Sequence, residues 1–515
     1  MKKIMTAVTL LGLSLPVMAQ AMEFQTPGAL GMGRAGVART TDSYATFINP
    51  AGLAFYEKSF SMRLGAGVGV AISSSLADNV DKIGKLDLST TDMNYSAGAT
   101  AQQVTDATAK AAQYAGVLQD LNDKKGDLAV NVDLTLGFQF RNFGLGIIGI
   151  SEVGAGVGSV DLVNIRAGNT GVATSVTQLS ADMGASSLNS NGIATYFSPA
   201  EYSKLLEALA PAATSTAAQI QQAKNLLTTL EVQLKSSGGN TTGLTPAQIA
   251  QGLQVIAPTL TATSAANTSI DNNKTTVLLR GLAVVEVPLA YGHKFDLGSF
   301  GKLGIGAAAK VMQGTVYSTD YEVMKLKDSK DITSKVKDNH SESTQLGVDL
   351  GVLWRLEEIK FIGPINVGLA VKNLNSPKFD GPKDPVTFAP TEKVKVEPQG
   401  RIGLGLEPLS WLSLAADFDI TKNKTIMQGR DSQNIGGGLE AHFEHWYALW
   451  LALRAGAYKN IAETAGKPVI TGGLSLGPRW MRFDLDAAVA TATGRYDNQS
   501  YPREAKVEFG LSTTF

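Results

Sequence analysis

The feature that most constrains this chain is the strict alternation of apolar and polar residues, repeated in one segment after another from residue 59 to the last. Successive side chains on an extended strand point to opposite faces, so such a segment is a ribbon with one oily face and one polar face. In "LAVNVDLTLGFQF", Leu128, Val130, Val132, Leu134, Leu136, Phe138 and Phe140 share one face, and Asn131, Asp133, Thr135 and Gln139 share the other. In "MRFDLDAAV", Met481, Phe483, Leu485, Ala487 and Val489 oppose Arg482, Asp484 and Asp486. "QLGVDLGVLWRL" and "WLSLAADFDI" repeat the scheme, with Asp349 and Arg355 in one polar row and Asp417 and Asp419 in another.

A soluble sandwich also alternates, so the connections must decide between the two. About fourteen strands are expected, near 59–72, 128–140, 143–155, 277–294, 301–318, 342–356, 361–373, 398–408, 410–421, 434–445, 447–458, 468–477, 479–492 and 504–515. Their links are long and short in turn. Arg141-Asn142, Asp296 to Ser299, Glu357 to Lys360, Pro408-Leu409, His445-Trp446 and Gly477-Pro478 are tight, whereas 73–127, 156–276, 319–341, 374–397, 422–433, 459–467 and 493–503 are longer and mostly polar. An all-β, transmembrane antiparallel β-barrel with turns at one rim and loops at the other predicts this rhythm, and an even strand number brings both ends of the barrel to the same side. A sandwich has no reason to keep it.

Aromatic placement agrees with a barrel in lipid. Trp354, Trp411, Trp446 and Trp480 lie close to short turns, joined by Phe143, Phe295, Phe361 and Tyr447, the positions of an interfacial girdle. The chain ends in "KVEFGLSTTF", with Val507, Phe509, Leu511, Thr513 and Phe515 on one face. A terminal Phe is what outer-membrane barrels commonly present to their assembly machinery, so Phe515 is the expected contact for that partner and lipid the expected surroundings.

The remaining bulk properties narrow the class. Lys2 and Lys3 precede an apolar run from Ile4 to Val17, followed by small residues; this reads as a secretory signal peptide, residues 1–21, cleaved after Ala19 or Ala21. Forty-five basic against forty-six acidic residues give no field to attract nucleic acid. Zero cysteines remove disulfides and thiolate chemistry.

Two long links carry helical patterns. Val104, Ala107, Ala111, Tyr114, Leu118 and Leu121 form one apolar stripe within about 100–123. In about 198–260, Ser198-Pro199-Ala200-Glu201 and Thr245-Pro246-Ala247-Gln248 read as capping boxes with Pro at the first helical position, and Ile220, Ala223, Leu227, Leu230 and Leu234 form a second stripe. "SSGGNTTG" is a hinge between helices. Such stripes either pack on one another or shelter apolar solutes at the barrel mouth.

Other motifs fail on context. "GLSLG", Gly473 to Gly477, has the spacing of a serine-hydrolase elbow but lies in a strand. "GLGIIG", Gly144 to Gly149, matches a dinucleotide fingerprint but opens no helix. "EAHFEH" puts Glu440, His442 and Glu444 on one strand face, where a polar row facing the lumen is a simpler reading than a metal site. The four histidines assemble no nucleophile, base and orienter, so no enzyme, cofactor or metal is expected.

The stretch "GALGMGRAGVARTTDSYATFINPAGLAFY", residues 28–56, resembles the N-terminal signature of the FadL/TodX family of outer-membrane transporters for hydrophobic compounds. In that family a glycine-rich segment and an Asn-Pro-Ala turn form a hatch inside a fourteen-stranded barrel. The resemblance implies a hatch over 22–58, with Gly31, Gly33, Gly36, Asp42, Asn49, Pro50, Ala51 and Gly52 at the matching positions. "PQGRIGLGLEPLSWLSLAADFDITKN", "GGGLEAHFEHWYALWLALRAG" and the last strand look closer to the branch labelled conjugal-transfer TraF-like barrel proteins. The better-known plasmid transfer protein of that name is thioredoxin-like, and a chain without cysteine is not that protein.

Residues 59–515 are then the barrel. Its non-lipid face should gather Arg355, Arg401, Arg454 and Arg482 with Asp349, Asp417, Asp419, Glu440, Asp484 and Asp486. Mixed signs suggest ion-pair networks that hold a plugged lumen together, rather than a ring selecting ions. The expected function is uptake of hydrophobic small molecules such as long-chain fatty acids, or else that of a structural or interaction barrel of the envelope, associated with conjugation, that transports nothing.

Overall fold

Inward polar rows and outward apolar rows need a closed cylinder if no edge is to be left unpaired in lipid, and a computed structural model of the chain has that form. It describes residues 24–514 except 25, 74–75, 77–78, 80–81, 83–93, 97, 125, 166–167, 170–178, 182–195, 237–239, 241, 262–271, 323–338, 360–362, 384–392, 426–430, 447–448, 464–465, 479 and 497–498. The expected signal peptide and Phe515 lie outside these, as do Phe361 and Tyr447.

Fourteen strands form one closed barrel. They are β1 (Phe60–Ile72), β2 (Asp127–Phe140), β3 (Phe143–Val157), β4 (Thr276–Asp296), β5 (Lys302–Glu322), β6 (His340–Ile359), β7 (Gly363–Lys372), β8 (Gln399–Leu409), β9 (Leu412–Asp419), β10 (Asn434–Trp446), β11 (Leu449–Asn460), β12 (Val469–Pro478), β13 (Met481–Ala490) and β14 (Glu504–Thr514). Each pairs antiparallel with its neighbours in sequence, and β1 closes on β14 from Ser61↔Thr514 to Ala71↔Glu504. The outward rows are the apolar ones: Leu64, Val68 and Val70 of β1, Leu134 of β2, and Phe483, Leu485 and Val489 of β13 are all exposed. Among the described residues no helix is long and apolar enough to cross a membrane; the strands do the crossing.

At four expected turns the strand runs on by two or three residues. Glu357 to Ile359, Pro408-Leu409, His445-Trp446 and Gly477-Pro478 are still strand. The last residues of a strand at the rim need not donate to a ladder, so Pro is tolerated there.

Wall height is uneven. β4 and β5 run 21 residues each, whereas roughly 9–11 tilted residues cross a bilayer, so these strands rise well beyond lipid at the loop end. The long links carry the helices α2 (Ala101–Lys124), α3 (Pro199–Leu209), α4 (Ala217–Lys235) and α5 (Pro246–Thr261), α1 being a short turn at Ala45–Ile48. Ser198 and Glu201 form the expected capping box, and Thr245 and Gln248 exchange the same bonds at 3.1 and 3.3 Å. The two apolar stripes are spent on each other. Val104, Ala107, Ala111, Leu118 and Leu121 share one buried core with Ala223, Leu227, Leu230 and Leu234, so these faces are not available to shelter a solute.

Candidate functional site in the barrel lumen

The segment ahead of β1 runs through the barrel, and almost every residue from Ala29 to Phe55 is buried. Short 3-10 turns at Leu30–Met32 and Pro50–Phe55 flank α1 and keep the path compact. Gly33 takes a left-handed φ of 65°, which an L side chain adopts only at a cost. A Cβ there would meet the carbonyl oxygens of Ala457 and Gly437 at 2.4 Å. The wall is bare to match: Gly436 and Gly438 of β10 face the backbone of Gly33 and Met32 so closely that side chains would collide with it.

Polar groups fix the segment to the wall. The Gly33 N–H donates to Thr471 Oγ1 at 3.1 Å, and that hydroxyl donates to the Gly31 carbonyl at 3.1 Å. Asp417 accepts from the N–H groups of Gly36 and Val37 at 2.8 and 3.0 Å. Asn49 caps the turn that begins with Pro50 by accepting from the Ala51 N–H, and its amide donates to the carbonyls of Val37 and Val352 at 2.9 and 3.1 Å. Asp42 pairs with Arg63 of β1 at 3.0 Å. Gly52 lies against the Thr40 carbonyl, where a Cβ would come within 2.2 Å.

The inward charged residues sort into separate clusters. Arg454 holds Glu440 at 2.7 Å, Asp484 at 3.0 Å and Asp486 at 3.1 Å, and Arg39 of the hatch also pairs with Glu440. Arg401 holds Asp419 at 2.5 Å and donates to the Arg34 carbonyl at 3.3 Å, with its guanidinium 4.6 Å from the Phe24 ring centre. Asp349 and Glu286 flank Lys310 at 3.0 Å each. Arg355 stands apart, 4.0 Å from Glu407 near the turn rim, and Arg482 lies over the Trp450 ring at 4.7 Å. His442 stacks on Trp450 at 5.1 Å, and no metal-binding group of three is found among the described residues.

Lys310, Glu286, Lys506, Asp133, Glu508, Arg34, Arg39 and Arg63 are participants that reading the strands singly leaves out of the network. Parity had the signal: Lys310 is the lone charge on the inward row Gly306, Ala308, Lys310, Met312 of β5.

Apolar side chains gather on β3 to β5, around Lys310 and Glu286. Ile148 and Ile150 of β3, Leu282 and Val284 of β4, and Met312 and Val316 of β5 form one buried cluster with Val37, Phe47 and Ile48 of the hatch. At the loop end Phe379 and Val396 complete the cluster, Phe379 lying where a Cβ on Gly314 would be 2.3 Å from its ring. The cluster reaches from a loop segment to the hatch, with Glu286 level with Ile148 and Met312 and Glu152 level with Leu282.

Fold and site together define a transmembrane barrel plugged by its own N-terminal segment. The family described as "F plasmid transfer operon, TraF, protein" matches residues 46–419, well over half of the chain, and the protein belongs to that family. A search of the curated proteins finds no match. Solved structures similar to the chain include the toluene transporter TbuX of Ralstonia pickettii, with 10% identity, 96% of this chain and 99% of that one covered, and a TM-score of 0.41. The Pseudomonas putida toluene transporter TodX has 10% identity, coverage of 96% and 99%, and a TM-score of 0.40. A Pseudomonas aeruginosa FadL homologue has 9% identity, coverage of 96% and 99%, and a TM-score of 0.40.

Proposed function

We propose that the protein resides in the bacterial outer membrane after export and signal-peptide cleavage, and admits hydrophobic small molecules such as long-chain fatty acids by passive movement. The observation that carries this reading is the buried apolar cluster of Ile148, Ile150, Leu282, Val284, Met312 and Val316, which reaches Phe379 at the loop end and has Glu286 and Glu152 on the same rungs. An oily solute crosses a charged or hydrated layer slowly, and a strip of apolar side chains lowers that barrier. No bond is made or broken. Membrane lipid surrounds the barrel, and Phe515 serves its insertion. The hatch residues Gly31, Gly33, Gly36, Asp42, Asn49, Pro50, Ala51 and Gly52 close the lower lumen, and the ion-pair clusters hold them against one wall.

A second reading, a plugged structural or interaction barrel without transport, has its own support: Arg39, Asp42 and Gly36 tie the plug to β10, β1 and β9. Uptake of radiolabelled oleate and of toluene by cells with and without the gene separates the two. The transport reading expects slower uptake in the deletion strain and recovery with the wild-type gene; equal uptake, with a stable partner copurifying, would establish the structural reading instead.

A further inference from the structure

At the seam where the barrel closes, inward positions line up across four strands. Asp486, Glu508, Gly67 and Asp133 stand side by side on β13, β14, β1 and β2, and one step nearer the turns Asp484, Gly510, Gly65 and Thr135 do the same. Between these two rungs and the hatch residue Tyr44 is a cavity of about 10 Å³, the least room that holds a water molecule. A bare potassium ion is of similar size.

The charges around it are largely committed. Lys506 bridges Asp133 and Oε1 of Glu508 at 2.9 Å each; Arg454 holds Asp484 and Asp486; Arg63 reaches Asp484 at 3.4 Å. Three oxygens remain without a protein partner, each fully shielded from solvent: Oε2 of Glu508, Oη of Tyr44 and Oγ1 of Thr135. Tyr44 and Thr135 are 1% exposed, and all three residues line the cavity. The Arg63 guanidinium lies 4.3 Å from the centre of the Tyr44 ring and fixes its orientation. Buried polar atoms are almost always satisfied by some partner, and these three come from different parts of the molecule, the hatch, β2 and β14.

Their chemistry selects the guest. Hard oxygen donors suit a hard cation, and the four lining carboxylates, set against Arg63, Lys506 and Arg454, leave one negative charge that favours a single positive one. No three carboxylates converge to chelate a multivalent metal among the described residues, and Lys506 and Arg63 would repel one. We propose that this cavity binds one monovalent cation of potassium size, coordinated by Tyr44 Oη, Thr135 Oγ1 and Glu508 Oε2, and that the ion fastens the hatch to the seam of the barrel. The site is independent of what the lumen transports.

The test uses the full-length protein in detergent, melted in potassium chloride and in choline chloride at equal ionic strength. A bound ion raises the wild-type midpoint in potassium by about 1–2 °C, and the gain disappears in a Tyr44→Phe/Thr135→Val double variant while Thr135→Ser keeps it. Equal wild-type midpoints in the two salts, or an equal gain in wild type and double variant, would overturn the site. Because the double variant can lose the hatch altogether, wild-type crystals soaked in a thallous salt give an independent reading. An anomalous peak among the three oxygens supports the proposal, and an ordered water only refutes it.

Discussion

Lys310 has no exposed side-chain surface and sits between Glu286 and Asp349 at 3.0 Å each. Three charges taken out of water are tolerable only as a set, because each carboxylate left without the ammonium keeps its desolvation cost. Lys310→Met should therefore destabilise the barrel by about 3–5 kcal/mol, read as a lower urea midpoint in refolding from detergent; an unchanged midpoint would show that water reaches the group. At Gly33 the issue is backbone. Gly33→Ala places a Cβ against two carbonyls and in a left-handed conformation, so the hatch should undock and become cleavable by trypsin at Arg34 and Arg39 while the barrel keeps its heat-modifiable band. Protection equal to wild type would contradict the close approach. Asp349, Arg401 and Arg454 were legible in the sequence as inward charges because alternation alone gives the face. Their partners were not, since Lys310 and Glu286 lie on different strands and only register brings them level.

At the scale of elements, all fourteen strands were legible, because a two-residue period repeated over ten residues has few other readings. The ends were less so: Pro408 and Pro478 look like turn residues, and the structure keeps both in strands. Helices α3 and α5 announced themselves through Ser198-Pro199 and Thr245-Pro246. The start of α4 did not stand out, although Thr216 and Gln219 form a full capping box, because no proline follows. The crossing of α2 and α5 depends on small residues: a Cβ on Gly252 would lie 2.0 Å from the Ala112 carbonyl, and one on Gly116 2.5 Å from that of Gln248. Gly252→Val should prise the helices apart and expose residues 101–124 to protease, with barrel heat-modifiability intact; resistance like that of wild type would argue against this crossing. The same pair is pH-sensitive in one direction. Burial alone would raise the pKa of Asp120 on α2, but hydrogen bonds from Lys124 and Asn79 outweigh it and hold the carboxyl below its ordinary value. A depressed folded pKa gives stability that is present above the unfolded value and lost as pH falls through the folded one. The protection factors of the α2 amides, exchange rates corrected for their intrinsic pH dependence, should thus hold from pH 7 to about pH 5 and fall only below about pH 4, and a fall already at pH 5 would contradict it.

For the molecule as a whole, closure and register bring inward residues of distant strands together into separate clusters. Ion pairs line β8 to β14 beside the hatch, and the apolar side chains of β3 to β5 surround a second buried charge set, Lys310 with Glu286 and Asp349. The sequence displayed both kinds of inward residue, but not their grouping, because which of them meet is decided by register, by closure and by the path of the N-terminal segment through the barrel. On the proposed function a solute travels past the apolar cluster of β3 to β5, which can be marked directly. Photolysis of a diazirine-bearing fatty acid bound to the purified barrel, followed by mass spectrometry of the labelled peptides, is the most direct test. Labels on Leu282, Val284 and Met312, reduced by excess oleate, are the predicted result; labels confined to the lipid-facing residues Leu134, Phe483 and Leu485, or unaffected by oleate, would contradict a hydrophobic path through the lumen.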